Sequence, residues 1–201
     1  MPLLIAALVA LSAGLASGQA DPGFSPSEVP PEDRAVIGVW LHDAIQPHGQ
    51  FAGARIWTRL ELRADGEAVE DYFVADPALS DLPAAARLLA TWTSGSYVDP
   101  EPAKGIFEVI RLAPYLSSTF NPDTGRYTNL SGLSLPIFRR FTLSPSSDEM
   151  TLSTSAFLGL EGSATVLSFP DDAEDRRFVR QPVPGTAVGS VSWGRLKANR
   201  R

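Results

Sequence analysis

The chain holds two histidines, His42 and His48, on either side of a strand end and a Pro-Gly-type turn. With Asp43 they could hold a metal ion, but their spacing matches no common ligand pattern. His42 is the one side chain that could serve a cavity enzyme as a general base. The sequence has no Gly-x-Ser-x-Gly elbow, no His-Glu-x-x-His and no phosphate-binding glycine loop. No catalytic residue, metal ligand or cofactor is therefore assigned. Asp171, Asp172, Glu174 and Asp175 form an acidic turn that could take calcium. It lacks the glycine that a calcium loop needs at its bend, and a solvated loop explains it equally well. Arg139-Arg140-Phe141 is the more informative cluster. Neighbours on a strand point to opposite faces, so this pair places one cation at an inward-facing or rim position. An inward arginine could meet a carboxylate head group or be paired within the protein.

The background to these residues is a 201-residue chain of net charge −6 without cysteine. Absence of Cys excludes a disulfide framework, a thiolate metal site, a Cys nucleophile and a lipoprotein anchor. The acidic balance argues against nucleic acid as a partner, which requires a basic face. Residues 1–20 carry no charged side chain and end in small residues, as a secretory signal peptide does. Export to the periplasm or outside the cell follows. Residues 21–34, with four prolines, read as a flexible lead ending in a short helical turn after Pro30-Pro31. Residues 182–201 read as a linker and tail, the last twelve of them basic and bearing Trp193, able to touch a membrane surface or a protein.

Between lead and tail, residues 35–181 alternate in short segments. The clearest is 55–64, with Ile56, Thr58, Leu60 and Leu62 on one face and Trp57, Arg59, Glu61 and Arg63 on the other. Asp65-Gly66 then turns the chain into a partner strand at 67–75. Further strands are expected at 35–43, 90–98, 106–113, 137–144, 149–155, 163–169 and 176–181. The recurrence of Leu79, Leu82, Ala86 and Ala90 after Asp81 predicts a short helix at 83–89 within the 76–90 insert. Residues 114–136 are expected as one long loop whose apolar side chains pack over a barrel end. No β-α-β alternation occurs. The fold class is all-β: an antiparallel up-and-down barrel of eight or nine strands with a short helical insert and a C-terminal tail.

Gly38-Val39-Trp40 at the entry to the first long strand, the run Trp92-Thr-Ser-Gly95-Ser-Tyr97, and Arg180 on the last strand resemble lipocalin-like (calycin) domains of secreted bacterial type. The resemblance implies that Trp40 packs against Arg180 to close one barrel end, with Gly38, Trp40 and Arg180 structural. It also implies a cavity able to take one small ligand. Candidate lining residues are Phe73, Tyr97, Phe107, Arg139, Phe141, Met150 and Leu152, each of which also serves as ordinary core. The expected function is non-catalytic binding or carriage of a small apolar ligand by a monomer. Two alternatives are a protease inhibitor acting through residues 21–34 and a cavity enzyme with His42 as base.

Overall fold

A computed structural model describes residues 23–45, 53–99, 105–130, 136–153, 157–161, 164–168 and 175–182. The expected signal peptide at 1–20, His48, Asp171, Asp172, Glu174 and the basic tail at 190–201 lie outside the described residues.

The chain forms twelve described strands: β1 (Phe24–Pro26), β2 (Gly38–Ile45), β3 (Arg55–Leu62), β4 (Glu67–Phe73), β5 (Ala86–Val98), β6 (Ile106–Asn121), β7 (Arg126–Leu130), β8 (Ile137–Leu143), β9 (Glu149–Leu152), β10 (Phe157–Glu161), β11 (Ala164–Ser168) and β12 (Arg176–Gln181). Eight of them close an antiparallel barrel in the order β2-β3-β4-β5-β6-β8-β9-β12, with β12 returning to β2. Closure leaves no long unpaired edge, the feature that makes open sheets prone to aggregate. Strand β1 continues the wall beside the far half of β5, and β7 does the same beside the far half of β6. A separate hairpin, β10–β11, is carried by the connection from β9 to β12.

Two expectations are corrected. No helix forms at 83–89: Ala86 opens β5, and Tyr72 and Asp71 of β4 pair with Ala86 and Arg87. The helix-like recurrence had no buried stripe behind it. Leu79 and Leu82 are 86% and 59% exposed, while the lumenal side chains of β5 alternate with a period of two. Nor is 114–136 one loop. Strand β6 runs on to Asn121 and returns as β7, so that only residues 122–125 and 131–136 connect strands there. Pro114 concealed this continuation. It sits where the β5–β6 register shifts, Leu89 facing Leu116 and Ala90 facing Pro114, so Tyr115 is an extra bulge residue. A proline without an N–H is tolerated at such a break in the ladder.

The two barrel ends differ in their connections. One end, the base, carries the turns 63–66 and 144–148 and receives the N-terminal segment, whose 3-10 turn Pro31–Asp33 precedes Val36 in the core. At the opposite end, the loop end, the described connections are 74–85 and 122–125. The principal core fills the base half: Trp40, Leu60, Leu62, Trp92, Leu112, Met150 and Phe178, among others, are almost wholly buried there.

Candidate functional site

At the base, Trp40 is completely buried and its indole N–H donates to the Val36 carbonyl at 2.8 Å. Arg180, paired with Trp40 across β12–β2, lies with its guanidinium 4.3 Å from the indole centroid. Its N–H groups donate to the carbonyls of Ile37 (2.6 Å), Ala35 (2.5 Å) and Ser147 (2.7 Å). One side chain thus ties the incoming segment, β2 and the β8–β9 turn together, with a cation–π contact added. Gly38 is required beside it: its φ is +141°, and a Cβ there would stand 3.0 Å from an Arg180 nitrogen. Gly95 has a comparable duty, since a Cβ would meet the Ser25 carbonyl of β1 at 2.2 Å. Both glycines of the two recognised sequence runs therefore mark places where another chain segment approaches too closely for a side chain.

Above this floor the lumen changes character. The β2–β5 registers define successive inward rows. Trp40, Leu60, Glu70 and Leu88 form one; His42, Thr58, Tyr72 and Ala86 form the next, nearer the loop end. Glu70 is 2% exposed and Arg139, from β8 on another wall, is 9% exposed. Arg139 donates both terminal nitrogens to the two Glu70 oxygens, at 2.7 and 3.0 Å. The pair spans the lumen as a strut between strands that are not neighbours. Burial by itself would lower the Arg139 pKa, but the charge of Glu70 and the bonds to Glu70 and Tyr72 outweigh it and hold it raised. The Tyr72 hydroxyl interacts with both partners. Burial first, and the Glu70 charge second, push its pKa well above the ordinary phenol value, so it remains a neutral hydrogen-bond donor.

Beyond the strut the inward positions mix small side chains with His42, Tyr72 and Ile56. Ala44, Thr58 and Ala86 face the lumen, and Ser117 and Thr119 pair with Leu88 and Ala86 on the same side. An eight-stranded barrel leaves room for side chains or for one small ligand, and small side chains shift that balance towards a ligand.

The seven expected lining residues divide between the two faces. Arg139, Phe141, Met150 and Leu152 point inward: Met150 and Leu152 are core members, Phe141 packs on that core, and Arg139 holds the strut. Phe73 lies on the outer face of β4 with Arg59 over its ring at 5.8 Å. Tyr97 and Phe107 belong to a second, outer cluster with Phe24, Val109 and Phe138. His42 is inward, with Nδ1 hydrogen-bonded to the Arg177 carbonyl at 2.8 Å and its ring 5.1 Å from that of Phe178. Among the described residues no carboxylate is bonded to it. Among the described residues no group of three His, Asp or Glu side chains could hold a metal.

The residues missed from the sequence are Glu70 and Tyr72. A signal for them existed. The Leu60/Leu62 face is legible as buried, and pairing across the Asp65-Gly66 turn sets Leu62 against Ala68 and Leu60 against Glu70. The buried side of β4 is thus Ala68, Glu70 and Tyr72, whereas hydrophobicity alone favours Val69 and Phe73. A second buried charge lies outside the wall: Asp71, fully covered, accepts from Arg59 at 2.8 Å and Arg87 at 2.6 Å. No family model, curated protein or solved structure matches this chain.

Proposed function

We propose that this protein is an exported, lipocalin-like binding protein that carries one small, largely apolar molecule in the loop-end half of its barrel without transforming it. The observation that supports this reading is the difference in filling along the lumen. Large side chains pack the base half, and towards the loop end Ala44, Thr58, Ala86, Ser117 and Thr119 are interspersed among the larger Ile56, His42 and Tyr72. The enzyme alternative relies on His42, whose Nδ1 is bound to a main-chain carbonyl with no carboxylate to orient it. The inhibitor alternative needs a free N-terminal lead, and Phe24–Pro26 is paired with β5.

The test is displacement of a neutral fluorescent probe, N-phenyl-naphthylamine, from the chain lacking residues 1–20, together with mass spectrometry of lipid-soluble material that co-purifies. Stoichiometric probe binding that is abolished by Ala86→Phe in a folded barrel is expected. No probe binding and no co-purified compound would sink the carrier reading.

A further inference from the structure

We infer that the group a ligand presents to the floor of this cavity is polar but uncharged, such as a hydroxyl, carbonyl or amide, and is not a free carboxylate. The inference rests on the carrier reading and specifies the ligand class for that same site. An inward arginine in a barrel suggests an anion receptor, and Arg139 viewed alone would serve as one. Its environment removes that role. Both terminal nitrogens are bound to Glu70, in a pair that is nearly solvent-free and neutral in sum. A ligand carboxylate brought to this floor would leave water and meet Glu70 as well as Arg139. It would have to break the bidentate pair or stay uncompensated, and a buried charge without its own partner is strongly disfavoured.

What the floor does offer is neutral hydrogen bonding. The row just above the strut holds His42, Thr58 and Tyr72 side by side across β2, β3 and β4. The Thr58 hydroxyl both donates and accepts, and Tyr72, whose proton is given to Glu70, keeps an acceptor lone pair for a ligand N–H or O–H. Among the described residues, the other cations with lumenal register sit away from this floor. Arg180 is stacked on Trp40 at the base, and Arg176, opposite Leu152 on β12, is in lumenal register within the loop-end half, above the floor and nearer the mouth. At the floor itself, between the His42–Thr58–Tyr72 row and the strut, a neutral polar group of a ligand therefore finds partners where, among the described residues, a carboxylate finds no free cation.

The experiment uses the chain from residue 21 onward and measures displacement of N-phenyl-naphthylamine by dodecanol, dodecanamide and dodecanoate at a pH where the acid is ionised. Dodecanol and dodecanamide are expected to bind at least about tenfold more tightly than dodecanoate, one hydrogen-bonded charge mismatch being worth at least that factor. In Glu70→Gln the side chain keeps an acceptor for Arg139 but loses its charge. The order should then shift towards dodecanoate by about tenfold or more. Tyr72→Phe leaves the strut in place and should weaken dodecanamide by about fivefold, the value of one neutral hydrogen bond, with little effect on dodecanoate. Dodecanoate binding as tightly as the neutral compounds to the wild type overturns the inference and leaves the carrier reading standing. An unchanged order in both variants also overturns it. Failure of all three compounds and of the probe to bind would remove the carrier reading itself, and the inference with it.

Discussion

The base half and the loop-end half of this barrel share the same eight walls but solve different problems. At the base, a glycine, a tryptophan and an arginine hold three chain segments against each other, and the lumen is packed with Trp40, Leu62, Trp92 and Met150. Towards the loop end Ala44, Thr58 and Ala86 alternate with Ile56, His42 and Tyr72, and the polar strut between Glu70 and Arg139 stands at the boundary. One half is built for stability. The other mixes small and polar side chains, the arrangement that the carrier reading needs. Two residues on one strand, Trp40 and Ala44, thus fall in different halves of the lumen although they are only two pleat repeats apart on the same face.

The strongest way to break this comparison is to reverse the sizes. Trp40→Ala should cost roughly 3–5 kcal/mol, since it opens a cavity where surrounding side chains are already fixed. It also removes the face on which Arg180 lies. Ala86→Phe adds far more volume at the other end, yet it should change stability by less than about 1 kcal/mol if that half is unfilled, whereas a packed site would lose 1–3 kcal/mol or more. Denaturant unfolding of the two variants decides the point. Equal losses at both positions would show a uniformly packed lumen and remove the site.

The boundary itself is tested next. Glu70→Leu or Arg139→Leu alone leaves a buried charge unpaired and should destabilise by about 3–5 kcal/mol, while the double variant Glu70→Leu/Arg139→Leu should recover most of that loss. Equilibrium unfolding of the three variants measures the coupling directly. Single variants costing less than about 1 kcal/mol would mean that water or a mobile neighbour already satisfies the charges.

Much of the wall was legible in the sequence because each strand carries its own period of two and its own turn signals. The eight barrel strands, the Asp65-Gly66 turn and the all-β class follow from that local pattern. What local pattern does not contain is pairing across the sheet. Leu82, Ala86 and Ala90 satisfy a helical spacing by coincidence, and only the hydrogen bonds from β4 select the strand. The bulge at Tyr115 was hidden for a similar reason, because Pro114 reads as a terminator until its partner Ala90 is known. The site suffered most. Hydrophobicity ranks Phe73 above Glu70 as an inward residue, and the register reverses that order. Arg139 was identifiable as an inward cation, but its partner lies sixty-nine positions away and on another wall. No spacing rule connects the two.

The smallest expected effect isolates Tyr72, the residue that joins the strut to the loop-end half. Its phenol pKa is raised above the ordinary 10.0 by burial and by the neighbouring Glu70 charge. Below pH 10 both folded and unfolded chains keep this proton, so the stability attached to it is fully present. As the pH rises past 10.0 the unfolded phenol ionises while the folded one does not. The unfolded state then gains, and stability falls with a slope approaching about 1.4 kcal/mol per pH unit until the folded phenol also titrates. Tyr72→Phe removes this alkaline leg. Wild type and variant should therefore run parallel from pH 7 to 9.5 and converge or cross above 10, as read by urea midpoints across the range. Other tyrosines contribute equally to both proteins and cancel in the difference. Curves that stay parallel to pH 11 would mean that the phenol is open to water, and the lumen above the strut would then be a solvent channel with no enclosed binding chamber.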